Sequence, residues 1–218
     1  DTQTFYPEAT KMKLSTQKTF KFLFVGGGTL RKGLDLLLKA YVNTFTIHDD
    51  VCLVIKEFGA GKVYASIDPE KLIDTYQKEH PDMPEIIHLT EDMPLESMPG
   101  LYTACDCLVH PYRGEGFGLP IAEAMASGLP VVVPEYGPVL DFCNSDTAYF
   151  IPVDIQYFAE KRIDEVVTVD TPYWAVPRIS ELQQQIRFVF NHRQEAQQKG
   201  NNARQHILNH CTWENTVK

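Results

Sequence analysis

The chain has 218 residues, 44% of them apolar and 22% charged, the balance of an ordinary globular protein of one large domain or a domain and a half. Its formal charge of −9 argues against a nucleic-acid partner, which would want a basic face, but leaves room for a nucleotide, which needs only a local positive pocket. No apolar run approaches the roughly 20 residues of a transmembrane helix, and no signal peptide is visible. The five unpatterned cysteines point to a reducing compartment, so a cytoplasmic location is expected.

In chain order, 20–26 reads as a first buried strand, followed by a Gly26-Gly27-Gly28 turn. Leu34, Leu37, Leu38, Tyr41, Val42 and Phe45 recur at helical spacing and predict a helix over about 33–45. A second strand at 51–55 runs into a Phe58-Gly59-Ala60-Gly61 loop, and Pro69 at a first helical position predicts a helix over 68–79. A third strand follows at 86–89, a short helix at 95–104 and a short buried strand at 106–110. Residues 119–126 read as a helix with Pro120 in its first turn and Gly128 as its stop, and further strands follow at 131–133 and 149–151. Strand and helix alternate throughout, which predicts an α/β fold with a doubly wound parallel sheet, Rossmann-like. Residues 155–178 break the alternation and read as a loop or small hairpin; helices are expected again from 181 and over 196–208.

Cys105 and Cys107 are expected as small buried residues on one face of a strand, because a metal would need two further ligands and none is evident. His88 reads as a core residue and His110 as a packing or loop-anchoring one near the pocket. Arg113 either braces its loop or touches a ligand.

Two loops carry chemistry. Glu115 and Glu123 have seven residues between them, the first on a glycine loop after a strand, the second inside the following helix. In open α/β sheets ligands bind at that edge. Gly116 and Gly118 leave backbone amides uncovered near a helix N-terminus, and the two carboxylates can accept hydrogen bonds from hydroxyls. Gly26-Gly27-Gly28-Thr29-Leu30-Arg31-Lys32-Gly33 follows the first strand: glycines admit a diphosphate, and Arg31 and Lys32 supply charge. It completes neither a Walker A loop nor G-x-G-x-x-G.

The run from Glu115-Gly116-Phe117-Gly118-Leu119-Pro120 through Glu123-Ala124-Met125-Ala126-Ser127-Gly128-Leu129-Pro130-Val131-Val132 closely resembles the E-x7-E signature of glycosyltransferase family 4, retaining enzymes with the two-domain GT-B fold. The glycine loop is similar to that family's G-R-L-x-x-K-G, with Lys32 at the phosphate-holding lysine and Gly27 where the family has arginine. Asp1 to Pro7 resembles the stretch between the family's two domains, and Cys211-Thr212-Trp213-Glu214-Asn215 its terminal S-W-E motif. The resemblance therefore implies the C-terminal, donor-binding half: a linker over 1–19, a nucleotide-sugar-binding domain over 20–210 and the start of a crossover helix over 211–218.

It also implies roles. Glu115 would meet donor-sugar hydroxyls beside the reacting carbon, and Glu123 the ribose. Gly27, Gly28, Arg31, Lys32, Gly116, Phe117, Gly118 and Leu119 would surround sugar and diphosphate, and Thr90 and Glu91 the base. No metal and no cofactor are expected, because the nucleotide sugar is a substrate and the chain lacks D-x-D. The acceptor would be a glycan or lipid-linked sugar. An absent N-terminal domain would complete the cleft and offer a route to the membrane surface, in a setting such as polysaccharide biosynthesis. Two other readings stand beside this one: a GT-B relative with other chemistry, such as an epimerase or phosphorylase, and a nucleotide-sugar-binding module without catalysis, suggested by Gly27.

Overall fold

Parallel strands covered on both faces need near-continuous apolar sequence, and the six runs expected between 20 and 151 all form strands. The computed structural model describes residues 1–58, 67–163, 166–212 and 215. β1 (Phe20–Gly26), β2 (Val51–Glu57), β3 (Glu85–Leu89), β4 (Cys107–Val109), β5 (Val131–Pro134) and β6 (Tyr149–Ile151) make one sheet in the order β3-β2-β1-β4-β5-β6. Every neighbouring pair is parallel.

Side chains alternate along each strand between two cores. Leu23 and Val25 of β1 enter one, with α3 (Met98–Ala104) and α4 (Leu119–Ala126). Phe20, Phe22 and Phe24 enter the other, with α1 (Leu34–Val42), α2 (Pro69–Glu79) and α5 (Ile179–Asn191). The last helix, α6 (Arg193–His210), joins the second core through Ala196 and the first through Ala203 and Ile207. The sheet is thus doubly wound.

Several details depart from expectation. The helix over 33–45 is preceded by a 3-10 turn, Leu30–Lys32, and ends at Val42, where Asn43 and Thr44 turn the chain. The helix over 95–104 opens as a 3-10 turn, Leu95–Ser97, before Pro99 enters the first turn of α3. Of the two readings for 155–178, a loop or a small hairpin, the described residues show the hairpin. β7 (Val153–Tyr157) and β10 (Tyr173–Pro177) form an antiparallel ribbon, with β8 (Arg162–Ile163) paired to β9 (Val166–Val167) beyond it.

Cys105 and Cys107 are both buried but on opposite sides, in different cores. β4 begins only at Cys107, and Cys105 caps α3, so strand alternation does not relate them. Residues 1–19 hold no helix or strand but lie against the domain. Phe5 is buried, and Arg204 Nη1 donates to the carbonyls of Phe5 at 2.9 Å and Ala126 at 2.7 Å. The Gly59-Ala60-Gly61 part of the β2 loop, and Trp213 and Glu214 of the S-W-E resemblance, lie outside the described residues.

Candidate active site

The strand order reverses between β1 and β4. Loops leaving those two strands run to opposite faces of the sheet and leave a crevice at its carboxyl edge, where open α/β sheets bind ligands. The glycine loop leaves β1 and the Glu115 loop leaves β4, so two sequence signals 83 residues apart converge there.

Hydrogen bonds stitch the two loops together. The Arg113 amide donates to the Arg31 carbonyl at 2.7 Å, and Arg31 Nη1 donates to the Gly114 carbonyl at 2.8 Å. Arg113 also forks onto the Asp35 carboxylate at 2.8 and 2.6 Å and reaches the Leu30 carbonyl at 2.6 Å. Arg113 therefore braces the loop. Gly33, at φ +78°, permits the approach: a Cβ there would lie 2.0 Å from the Pro111 carbonyl oxygen. From the ribbon, Ala175 donates its amide to the Arg113 carbonyl at 3.1 Å. A double-mutant cycle on Asp35→Asn and Arg113→Lys is expected to give a coupling of about 1–2 kcal/mol, because a bidentate pair this sheltered exceeds an exposed one. Urea denaturation measures it, and additive effects would show that the fork does not hold the loops.

The stitching brings Lys32 Nζ to 2.5 Å from Glu115 Oε2 and Arg31 Nη1 to 3.5 Å from Oε1. The Gly116 amide donates to Oε1 at 3.0 Å. Burial pushes the Glu115 carboxyl up, but the Lys32 hydrogen bond and charge outweigh it, so the carboxyl sits below its ordinary value. A Cβ at Gly27 would lie 3.0 Å from the Phe58 carbonyl oxygen, and one at Gly28 only 2.4 Å from that of Ile67. The backbone is thus tight where the resemblance would place an arginine, and Arg31 brings a guanidinium to Glu115 instead.

Gly118, at φ +93°, is the N-cap of α4, and its carbonyl accepts from the amides of Ile121 at 2.9 Å and Ala122 at 3.1 Å. Pro120 fits there because its missing N–H would be unpaired anyway. Gly128, at φ +77°, ends it: its amide meets the Met125 carbonyl and that of Leu129 the Ala124 carbonyl, the Schellman pattern. Glu123 lies on α4, with its Oε2 accepting from the buried Tyr102 hydroxyl at 2.7 Å. Burial raises the Glu123 carboxyl above its ordinary value despite that hydrogen bond. Phe117 and Leu119 are exposed, and Phe117 stacks on Phe142 at 5.3 Å.

Thr90 and Glu91 follow β3, two strands from β1, and both are exposed. The buried Lys56 holds that loop, donating to the Glu91 carbonyl at 3.0 Å and to that of Glu57 at 2.6 Å. His88 is only half-buried and lies 3.0 Å from Glu57 Oε2, not in the core, because its side chain meets the carboxylate on the neighbouring strand. His110 is fully buried and stacks on Phe24 at 5.4 Å. It packs as expected but anchors nothing: neither ring nitrogen has a hydrogen-bond partner.

The fold thus gathers Arg31, Lys32, Glu115 and Gly116 at one point, with Glu123 on the adjoining helix and Thr90 and Glu91 farther along the edge. Tyr102, Asp35 and Lys56, which orient these groups, carry no local signal, since each reads in sequence as an ordinary helix or strand residue. Among the described residues no group of three or more His, Cys, Asp or Glu is placed to hold a metal ion, and no helix is long and apolar enough to cross a membrane.

A Rossmann-like sheet of this topology defines the class as that of GT-B glycosyltransferase C-terminal domains. The chain belongs to the glycosyl transferases group 1 family, whose model matches residues 7–170. It is 30% identical over 137 residues to an uncharacterized glycosyltransferase of Sulfolobus islandicus rod-shaped virus 1, covering 62% of this chain and 37% of that protein. The chain thus spans well under two thirds of that relative. The C-terminal domain of a group 1 glycosyl transferase from Francisella tularensis superposes with a TM-score of 0.70 at 18% identity, covering 98% of each chain. Anabaena HepE, solved in complex with UDP-glucose, superposes with a TM-score of 0.60 at 16% identity over 87% of this chain and 44% of that one.

Proposed function

We propose that this chain is the donor-binding half of a retaining glycosyltransferase that moves a sugar from a nucleoside-diphosphate sugar to a glycan or lipid-linked acceptor. The observation that carries this reading is the meeting of Lys32 and Glu115 from two loops at the switch point: a cation suited to phosphate beside a carboxylate suited to hydroxyls. Lys32, with Arg31, neutralises the charge that develops on the departing nucleoside diphosphate, which lowers the barrier to cleaving the glycosyl–oxygen bond. Gly27 and Gly28 admit the diphosphate closely, and Gly116, Phe117, Gly118 and Leu119 border the same charge ahead of α4, with the Gly116 amide already donating to Glu115. Glu115 orients the donor sugar at the reacting carbon, Glu123 holds the ribose, and the Thr90–Glu91 loop meets the base.

In this reading retention arises because the leaving phosphate assists the acceptor on the face it vacates, so the glutamates serve as substrate-binding groups instead of a nucleophile and acid. No resident metal or cofactor takes part. The acceptor side comes from a second domain outside residues 1–218, the usual source of the other wall in a two-domain cleft. UDP-glucose on HepE supports a donor of this chemical type, and five unpaired cysteines support a reducing, cytoplasmic setting.

Calorimetric titration with UDP, GDP and ADP tests the reading. Saturable binding of one of them is expected, and binding of none overturns it. A binding module without chemistry is the second reading, favoured by the glycine at position 27; turnover by the full-length protein excludes it.

A further inference from the structure

Among the described residues, the buried side-chain nitrogens without a hydrogen-bond partner are both on His110. An unmet buried polar group costs about 1–3 kcal/mol, so each one calls for an explanation, a role at a functional site among them. His110 sits directly after β4 at the switch point, with no exposed surface and its ring stacked on Phe24 at 14°. The Phe24 ring in turn underlies the glycine loop: a Cβ at Gly26 would meet it at 3.1 Å and the Lys32 stem at 3.6 Å. The charges that act on the imidazole are those of Lys32 and Glu115, and the carbonyls of His110 itself and of Val25 lie near the ring outside strict hydrogen-bonding geometry. Burial first, and the Lys32 charge second, lower the imidazole to about 4, so at neutral pH it is uncharged and carries one N–H.

Glu115 is held by Lys32 at 2.5 Å. The same lysine is the cation to which a donor diphosphate is attracted most directly, and a diphosphate carries more negative charge than one carboxylate. Its arrival draws Lys32 away and leaves Glu115 buried with a weaker set of partners, a costly state for a carboxylate.

We propose that His110 is a positioning residue for Glu115: when a donor diphosphate captures Lys32, the unpartnered imidazole N–H donates to the Glu115 carboxylate and keeps it aimed at the donor sugar. The exchange replaces a charged partner by a neutral one. Both the orphaned ring and the released carboxylate gain a hydrogen bond, and no proton is transferred. This assignment rests on the nucleotide-sugar reading above.

The test uses the whole chain uniformly labelled with 15N, probed with UDP, GDP and the matching UDP-glucose and GDP-mannose. The His110 ring signals are identified by their loss in His110→Phe, which keeps the stack on Phe24. On saturation with the nucleotide that binds, a downfield, slowly exchanging ring N–H is expected, and Glu115→Gln should shift it. His110→Phe is expected to lower the affinity of the nucleotide sugar relative to its own diphosphate about tenfold, the worth of one hydrogen bond to a charged group. His110→Gln, which keeps a donor, should restore part of that difference. If the amides of Gly116 to Gly118 move with nucleotide while the His110 ring does not, this proposal is overturned and the nucleotide site stands. If His110→Phe and wild type show the same sugar increment, the proposal is likewise overturned. If neither amides nor ring respond to any probe, the function proposed above falls together with it.

Discussion

Replacing Lys32 with alanine is expected to weaken nucleoside-diphosphate binding by about 100-fold, because it removes a charge-assisted contact to phosphate worth about 2–3 kcal/mol in a sheltered site. Lys32 is only 16% exposed at its side chain and Glu115 9%, whereas Arg31 is 43% exposed, so Arg31 is the more screened cation and should compensate only in part. The same substitution has a signature without ligand. In the wild type, burial raises the Glu115 carboxyl and the Lys32 contact more than reverses this, leaving it below the value it has in the unfolded chain. A group depressed in the folded state contributes stability that is complete above its unfolded value, about 4.3, and is lost as pH falls through its folded value. Without Lys32 the burial remains, so the carboxyl moves up and the contribution on acidification shrinks or reverses. Urea midpoints of both proteins between pH 3 and pH 7 measure this. A Lys32→Ala protein that loses as much stability on acidification as the wild type would show that something other than Lys32 holds Glu115.

The second large effect is a trade between stability and binding at Glu123. Burial raises this carboxyl above its ordinary value, with the Tyr102 hydroxyl opposing part of the shift. A carboxyl raised in the folded state costs stability wherever it is ionised, above its folded value, and the cost is relieved as pH falls toward the unfolded value. Glu123→Gln removes the buried charge, keeps the shape and leaves a carbonyl oxygen to accept from Tyr102. It is expected to raise stability at pH 7 by about 0.5–1 kcal/mol, an advantage that fades near pH 4. Nucleotide affinity should fall tenfold or more, because a neutral amide accepts ribose hydroxyls less strongly than a carboxylate. Denaturation at the two pH values and titration with the bound nucleotide check both halves. Unchanged affinity would remove Glu123 from the ribose, and lower stability at pH 7 would show that burial does not penalise its charge.

Local sequence determined much of this protein. The apolar runs at 20–26, 51–55 and 131–133 matched buried parallel strands, since a strand covered on both faces calls for near-continuous apolar sequence. The frame around Glu115 and Glu123 placed a loop, a helix start at Leu119 and a stop at Gly128, because glycine and proline act through the backbone of their own turn. What sequence left open were relations between distant segments. That Lys32 and Glu115 pair, that Arg113 clasps Asp35, that Glu123 leans on Tyr102 and that Lys56 holds the Glu91 carbonyl depend on strand order, which sets which loops lie side by side. The same holds for the 155–178 ribbon, whose pairing of Tyr173 with Tyr157 spans a long connection, and for the two cysteines, separated into different cores by where β4 begins. Backbone propensity is a short-range property and legible in sequence, whereas the partner of a charged or buried polar side chain is chosen by the tertiary fold that brings it within hydrogen-bond reach.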